Sequence, residues 1–374
     1  MSANVEKTVL VFQGGGALGA YQAGAYEALH EHGIRPDWLA GISIGAINAA
    51  IIAGSPPEER VARLRQFWMT VSSGLTGMLV GQGETLRKWF NETAALWGSL
   101  TGVPGFFTPR AFNPLASFTD PTASLSLYDT APLQATLAEL VDFDRINHGD
   151  VRLSLGAVDV ENGNFRYFDN QTGPIDKRHV AASGALPPGF APVEIDGRFY
   201  WDGGLVSNTP LQKVLSQELE SDLLIFQLDL FSATGPMPRD LADVQAREKE
   251  IRFSSRTRMN TDLFRRMQTV RMAAKRLMAK LPPELAEDPD AKILAKIGND
   301  GAVTIVHLIY RQAAYEGHSK DYEFSRLSVE DHWAAGYRDV CETLESEEWM
   351  TRTRPENGIR ILDLAEPSLK HRHA

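Results

Sequence analysis

A serine lies between two glycines in the pentapeptide Gly41-Ile42-Ser43-Ile44-Gly45, which matches the pattern G-x-S-x-G. In that pattern the serine occupies a strained turn between a strand and a helix, and small neighbours allow the backbones to approach closely. The helix that follows points its N-terminal N–H groups at charge that develops near the serine. The motif predicts that Ser43 is a nucleophile, in a turn that needs Gly41 and Gly45.

A carboxylate follows a second apolar run, in the sequence Asp202-Gly203-Gly204. The preceding residues 199–201 are typical of a strand, so Gly203 and Gly204 place Asp202 on an open turn against closely packed backbone. A carboxylate in that position can accept a proton from a neighbouring hydroxyl. Asp-Gly is also common in ordinary β-turns, and by itself this motif favours the ordinary turn.

A glycine cluster, residues 14–19 (the glycine loop), separates a predicted strand from a predicted helix. Its backbone N–H groups suit an oxyanion hole. The spacing of Gly14, Gly16 and Gly19 also satisfies G-x-G-x-x-G, and Asp37 lies near the distance of a ribose-binding acid. An NAD(P)-binding oxidoreductase is therefore an alternative to a hydrolase at this stage.

The elements that must position these motifs alternate between strand and helix. Apolar periodicity and helix-ending glycines predict strand 8–12, helix 20–32, strand 38–42 and helix 46–53. Further on, it predicts hairpins over 151–168 and 193–201, strands 223–230 and 302–310, and a helix 328–345 that Ser328 opens. This alternation predicts an α/β fold with a mostly parallel central sheet and helices on both faces.

Residues 55–130 are rich in glycine, tryptophan and phenylalanine and lack clean periodicity after a helix over 58–70. Two interpretations stay open for them. The segment is either a lid or wall over a lipid pocket, or an ordinary cap on the core with loops.

The three motifs, in this order, resemble those of the patatin-like phospholipase family. Residues 182–190 (Ala-Ser-Gly-Ala-Leu-Pro-Pro-Gly-Phe), Asn208 and Pro210 are similar to the family as well, so the resemblance covers residues 8–215. It implies a three-layer α/β fold, hydrolysis of acyl esters, usually of phospholipids, and a Ser–Asp dyad without a catalytic histidine. Carried over to this chain, Ser43 is the nucleophile and Asp202 the base. The resemblance further implies that the backbone N–H groups of Gly14, Gly15 and Gly16 line the oxyanion hole, with no metal or cofactor.

Two features depart from the common family pattern. Leu18 occupies the place in the glycine loop where many members carry a basic residue, which leaves the headgroup preference open. Residues 216–374 form an extension of strands and helices, and its segment 315–322 looks like that of a bacterial patatin-like subgroup.

Histidines after Asp202 make a Ser–Asp–His triad a further alternative, because His307 and His318 both follow it in the chain. His307 lies inside an apolar strand, where a structural histidine is more common. His318 lies in a polar loop and suits a surface position. We therefore expect the dyad.

Charge divides the chain unevenly. The net charge of −10 argues against a nucleic-acid-binding protein. Residues 252–281, in contrast, form a predicted basic amphipathic helix ended by Pro282-Pro283. Its apolar face comprises Met259, Leu263, Met267, Val270, Ala274, Leu277 and Leu281. Either this face packs on the core, or the helix docks on an anionic membrane.

Compartment signals are weak. Cys341 is the single cysteine, which fits a reducing compartment, and the longest apolar run, 40–54, is shorter than a membrane span. We expect a cytoplasmic protein, peripheral at a membrane if the basic helix docks. A non-catalytic lipid-binding protein that keeps the serine and aspartate idle is the remaining alternative.

Overall fold

The structure is a computed structural model that describes residues 6–75, 84–110, 123–217, 221–285, 287–297, 301–311, 316–317 and 319–363. Its strands are β1 (Lys7–Phe12), β2 (Trp38–Gly41), β3 (Thr108–Pro109), β4 (Tyr128–Asp129), β5 (Arg152–Asp159), β6 (Phe165–Asp169), β7 (Val193–Ile195), β8 (Arg198–Asp202), β9 (Leu223–Asp229), β10 (Val303–Ile309) and β11 (Ile359–Leu362). Its α-helices are α1 (Gly19–Glu31), α2 (Ile44–Ala53), α3 (Arg60–Val71), α4 (Glu84–Thr101), α5 (Ala131–Leu140), α6 (Phe143–His148), α7 (Lys177–Ser183), α8 (Leu211–Leu215), α9 (Leu241–Met278), α10 (Pro289–Ile297), α11 (Arg326–Glu345) and α12 (Glu347–Met350).

One central sheet has the order β11-β10-β9-β1-β2-β5-β8-β7, with β6 also paired to β5. The pairs from β11 to β5 are parallel, whereas β6, β8 and β7 are added in antiparallel pairs. The carboxyl ends of β1, β2 and β9 therefore meet at one edge, where ligands bind in open α/β sheets.

Helices cover both faces of this sheet. Alternate residues of β1 enter two different clusters, because successive side chains of a strand point to opposite faces. Leu10 and Phe12 pack with α1 and α2, whereas Val9 and Val11 pack with α8 and with Phe264 of α9. The predicted α/β class with a mostly parallel sheet and two helical layers is confirmed.

The extension shares the sheet and the packing of the first 215 residues. Strand β9 pairs with β1 on one side and with β10 on the other. Helix α11 packs on α1 without intervening side chains: a Cβ on Gly24 would collide with the carbonyl of Trp333, and a Cβ on Gly336 with that of Tyr21. The predicted boundary near residue 215 thus falls within one sheet.

Two boundaries differ from the sequence-based expectation. The side chain of Ser325, not Ser328, caps α11 by accepting the N–H of Ser328. Helix α9 has 38 residues and begins at Leu241, upstream of the predicted start at Arg252.

The expected apolar face of this basic helix does not pack on the core as a unit. Ala274 is buried, but Leu263, Met267, Val270 and Leu277 are 58%, 45%, 57% and 56% exposed. The helix packs through Phe264 and Gln268 instead, both buried. Met259 lies among residues whose side chains the structure does not describe.

The aromatic segment 55–130 contributes both a core cap and an exposed helix. Phe106 and Phe107 are buried and pack on Phe190 in an edge-to-face and a tilted arrangement, with ring centroids 6.1 and 5.4 Å away. Helix α4, which the sequence did not predict, instead exposes Trp89 and Trp97. Phe112 lies outside the described residues, and the proposed role as a lid stays a prediction. Across the described ranges, no helix combines the length and apolarity that crossing a bilayer requires.

Candidate active site

Ser43 lies in a strained turn between β2 and α2. Its φ of 56° and ψ of −124° are rare for a residue with a side chain, and such conformations cost about 1–3 kcal/mol. The turn is held because the Ser43 N–H donates to the carbonyl oxygen and the Oγ of Ser183, both 3.1 Å away. A Cβ on Gly41 would collide with the carbonyl of Gly45, and one on Gly45 would lie 2.5 Å from the carbonyl of Phe12. Neither position leaves room for a side chain in this conformation of the turn.

Asp202, the last residue of β8, is buried against Ser43. Its carboxyl accepts the N–H of Gly204 at 2.7 Å. Burial raises the pKa of Asp202 to about 7, although the nearby Ser43 side chain and the Gly204 N–H lower it. A carboxylate with this pKa is a stronger base towards a hydroxyl than a solvated aspartate.

The turn after Asp202 also depends on glycine. Strand β8 lies antiparallel to β5, and a Cβ on Gly203 would be 2.7 Å from the carbonyl of Gly156 in β5. That same carbonyl accepts a hydrogen bond of 2.7 Å from Ser183 Oγ. Ser183 thus ties the turn that carries Ser43 to the strand beside Asp202.

The N–H groups of the glycine loop are not equivalent. Gly14 donates its N–H to the carbonyl of Asn208 at 3.1 Å, and Asn208 Nδ2 donates back to the Gly14 carbonyl at 2.9 Å. The prediction that the Gly14 N–H lines an oxyanion hole is therefore wrong, because this donor is already used. Gly14 is needed for space instead, since a Cβ there would lie 3.0 Å from Ser43 Cβ.

Gly19 is not available as a donor either, because its N–H donates to carbonyls within the loop. It is needed for space, since a Cβ on it would lie 2.5 Å from Ile44. Among the residues that the structure describes, no acceptor takes the N–H of Gly15 or of Gly16. These two donors remain as candidates for an oxyanion hole.

The extension touches the glycine loop directly. The N–H of Ala17 donates to the carbonyl of Asp321 at 2.8 Å. Gly16 has a φ of +54°, and a Cβ on it would collide with the same Asp321 carbonyl. The loop conformation thus requires glycine at 16 both for its dihedral and for this contact.

Asp37 lies at the other end of the strands. Its carboxylate accepts the N–H of Thr8 at 2.7 Å, and its carbonyl accepts the N–H of Arg152 at 2.9 Å. Thr8 and Arg152 begin their strands, whereas the glycine loop follows the carboxyl end of β1. Asp37 therefore does not face a ligand at the glycine loop. Of the two features that suggested dinucleotide binding, the glycine spacing alone remains.

A second buried carboxyl, Asp229, was not anticipated. It ends β9, and its carboxyl oxygens accept hydrogen bonds from Gln227 Nε2 at 2.6 Å and from Thr209 Oγ1 at 3.5 Å. Burial raises the pKa of Asp229 to about 7. The position of an aspartate at the end of an apolar strand is the signal that marks both Asp202 and Asp229.

His307 faces this second carboxyl. It lies in β10 in register with Gln227, and it lines a cavity of about 320 Å³ together with Asp229. Neither Ser43 nor Asp202 is among the described residues that line that cavity. His318 lies outside the described residues. Within the described part of the chain, no three or more His, Cys, Asp or Glu side chains form a cluster that could hold a metal ion.

The family model of patatin-like phospholipases matches residues 10–215, which is more than half of the chain. The chain belongs to the patatin-like phospholipase family. A second family model, described as patatin phospholipase, matches residues 251–356 of the extension. The resemblance of the three motifs to this family is thereby confirmed.

Curated relatives of this patatin-like chain include the neuropathy target esterase sws of Drosophila melanogaster, 26% identical over 201 residues, and that of Drosophila ananassae, 27% identical. The match covers 54% of this chain but 11% of those proteins. Among solved structures, the match to VipD from Legionella pneumophila covers 91% of this chain and 67% of the VipD chain, with 14% identity and a TM-score of 0.38. The match to ExoU of Pseudomonas aeruginosa, in complex with SpcU, covers 77% of this chain and 60% of the ExoU chain, with 15% identity and a TM-score of 0.27.

Proposed function

We propose that this protein is a serine hydrolase that cleaves lipid acyl esters, with Ser43 as the nucleophile and Asp202 as its base. The observation that carries the proposal is the proximity of the Ser43 side chain to the buried carboxyl of Asp202 and to the glycine loop. Membership of the patatin-like phospholipase family supports the substrate class.

The reaction takes place in two steps. In the first, Ser43 Oγ attacks the ester carbonyl carbon while Asp202 accepts the hydroxyl proton, and the N–H groups of Gly15 and Gly16 stabilise the oxyanion. Each such donor contributes about 3–4 kcal/mol in comparable sites. The alkoxide then leaves with the proton from Asp202, and an acyl-enzyme remains. In the second step Asp202 takes a proton from water, which attacks the acyl-enzyme and releases the fatty acid and the Ser43 hydroxyl.

Covalent labelling combined with a lipid panel tests the proposal. A fluorophosphonate should label the wild type at Ser43, and product identification on phospholipid, lysophospholipid and glyceride should give free fatty acid. Ser43→Ala should lose both labelling and hydrolysis, while Ser216→Ala, an exposed serine at the end of α8, should keep both.

Two outcomes contradict the proposal. Wild-type turnover of a short-chain nitrophenyl ester by Ser43→Ala would exclude Ser43 as the nucleophile. Lipid binding by a wild type that neither labels nor hydrolyses would instead favour the non-catalytic lipid-binding protein.

We further propose that the protein contacts anionic membranes through α9. Leu263, Met267, Val270 and Leu277 lie within an arc of about 80° on a helix of 3.6 residues per turn, and all are exposed. Four exposed basic side chains lie on this helix or just after its end: Arg265, Arg266, Arg276 and Lys280. Apolar side chains beside basic ones suit the interface of an anionic bilayer. Pairing of α9 with a second copy is disfavoured because the basic residues would repel one another.

Vesicle sedimentation tests this contact. Binding to phosphatidylserine-containing vesicles should exceed binding to pure phosphatidylcholine, and should weaken with salt and in Arg265→Glu/Arg266→Glu. Met350→Ser, which alters an exposed apolar residue of α12, is the control and should bind normally. Equal binding to neutral vesicles, or a salt-independent dimer, would contradict the proposal.

A further inference from the structure

The segment that presses on the glycine loop belongs to the extension. Residues 319–322 form a turn in which the N–H of Tyr322 donates to the carbonyl of Ser319 at 3.0 Å. From this turn the Asp321 carbonyl accepts the Ala17 N–H. The loop is confined on its other side, where a Cβ on Gly15 would lie 2.7 Å from Leu230. The conformation of Gly15 and Gly16 is therefore fixed between Leu230, which follows β9, and the turn of residues 319–322.

This confinement bears on the two donors that the proposed mechanism uses. Neighbouring peptide units in a tight loop cannot rotate independently, because the backbone has only two soft dihedral angles per residue. Tying the Ala17 N–H to Asp321 therefore constrains the directions of the Gly15 and Gly16 N–H groups that precede it. Preorganised donors of this kind lose their effect when they are displaced by about 1 Å.

A buried ion pair holds the turn in place. Lys320 Nζ lies 2.9 Å from Glu250 Oε1, with side chains that are 3% and 9% exposed. Glu250 also accepts Arg247 at 3.0 Å, and Lys249 of the same helical turn binds the Asp321 carboxylate at 2.7 Å. Helix α9 thus binds Asp321, whose carbonyl contacts the loop, and Lys320, which precedes it.

Stability alone does not explain such a pair. Removing two charges from water costs several kcal/mol per ion, and an apolar pair of the same volume is often equally stable. A charged pair does, however, fix the direction of its partners, since hydrogen bonds to ionised groups have narrow geometry.

We propose that Lys320 is a positioning residue, which acts through Glu250 to hold the Asp321 carbonyl against the glycine loop and thereby completes the oxyanion site. The extension is then part of the catalytic apparatus rather than an appendage. This inference rests on the proposed hydrolase function.

The test compares Lys320→Met with Lys320→Arg in the full chain. With a soluble nitrophenyl butyrate, Lys320→Met should lower kcat about tenfold or more and leave KM within about twofold, because the loop acts on the transition state. The rate of fluorophosphonate labelling of Ser43 should fall in parallel. Lys320→Arg keeps the charge and should restore both rates to within about threefold of the wild type.

The matched control is Arg152→Met, which breaks another largely buried pair, with Asp169, where the side chains are 15% and 1% exposed. It should lower the melting temperature but leave kcat and labelling unchanged. Lys249→Ala, a change at a more exposed pair, provides a second variant that is expected to fold and to slow labelling several-fold.

The inference is overturned if folded Lys320→Met labels and turns over within twofold of the wild type, or if Lys320→Arg is as impaired as Lys320→Met. A wild type that neither labels nor hydrolyses any ester would instead refute the hydrolase itself. The two failures are therefore distinguishable.

Discussion

Two aspartates of this protein end buried strands, and burial raises the pKa of each to about 7. Their neighbours differ. Asp202 lies beside a serine in a strained turn, whereas Asp229 accepts hydrogen bonds from the amide of Gln227 and the hydroxyl of Thr209. A perturbed pKa thus marks both carboxyls, and the strained nucleophile distinguishes the one that we propose as catalytic.

The proposed base gives a pH prediction. Asp202 must lose its proton before it can accept one from Ser43, so the raised pKa of about 7 moves the onset of activity upwards. We expect kcat/KM on a soluble ester to fall about tenfold per pH unit below this pKa and to level off above it. Measurement from pH 5 to 9 checks this, with Asp202→Asn as the inactive reference. A flat profile would contradict it.

Asp229→Asn should stabilise the protein at alkaline pH. A folded-state pKa of about 7 lies above the unfolded value, so the unfolded chain loses its proton first as the pH rises. The free energy of unfolding of the wild type therefore falls by about 1.4 kcal/mol per pH unit between pH values of about 4 and 7. The Asp229→Asn variant does not undergo this loss, because asparagine does not ionise. The amide of Gln227 can flip to accept from the new side chain.

Urea unfolding of both proteins at pH 5 and pH 8 measures this effect. We expect the stability of Asp229→Asn relative to the wild type to rise by about 2–3 kcal/mol between these pH values. Asp202 contributes equally to both proteins and cancels. An unchanged difference would contradict the assigned pKa of Asp229.

Ser43 and Asp202 could be singled out from the sequence because each lies in a motif that follows the end of a predicted strand. The role of Gly14 was beyond that reasoning. Its N–H is occupied by Asn208, and this pairing depends on how two distant turns meet. Asp229 was missed because the predicted strand 223–230 runs past it and no glycine pair follows it, so its place at the end of an apolar run was the one available signal.

At the scale of elements, glycine sets how closely α2 approaches the sheet. A Cβ on Gly45 would lie 2.5 Å from the backbone carbonyl of Phe12, which cannot move away as a flexible side chain would. The close approach of α2 to β1 therefore depends on the absence of a side chain at residue 45.

Gly45→Ala should consequently destabilise the protein by about 1–3 kcal/mol and slow labelling of Ser43. Gly173→Ala is the matched control, because a Cβ there meets no atom within 4 Å and φ is not positive. Thermal unfolding and labelling rates of both variants check this. Equal melting temperatures would show that the contact relaxes without cost.

Strong periodicity predicted the strands and early helices well, but it failed for α4 and for the start of α11. The apolar residues Leu86, Trp89, Leu96 and Leu100 of α4 do recur at helical spacing, but they are exposed, so they are not the buried stripe by which a helix is usually recognised. At α11, Ser325 and Ser328 are equally good caps locally. The choice of Ser325 depends on the buried residues Glu323 and Phe324 before it, which tertiary packing decides.

At the scale of the whole molecule, the extension is structurally continuous with the first 215 residues. Strand β1 would lose β9, and α1 would lose α11, if the chain ended there. We expect a fragment of residues 1–215 to show no cooperative unfolding by circular dichroism and no labelling at Ser43, in contrast to the full chain. A fragment that melts cooperatively and labels would contradict this.

The contact between Ala17 and Asp321 also has a consequence for biosynthesis. Chains emerge from the ribosome N-terminus first, and their early segments begin to fold before the rest is made. Here the serine, its carboxylate and the glycine loop are all translated long before the residue whose carbonyl holds that loop. Under the proposed function, a nascent chain would lack a completed oxyanion site until most of its length had been made, so ester hydrolysis would begin only after that point.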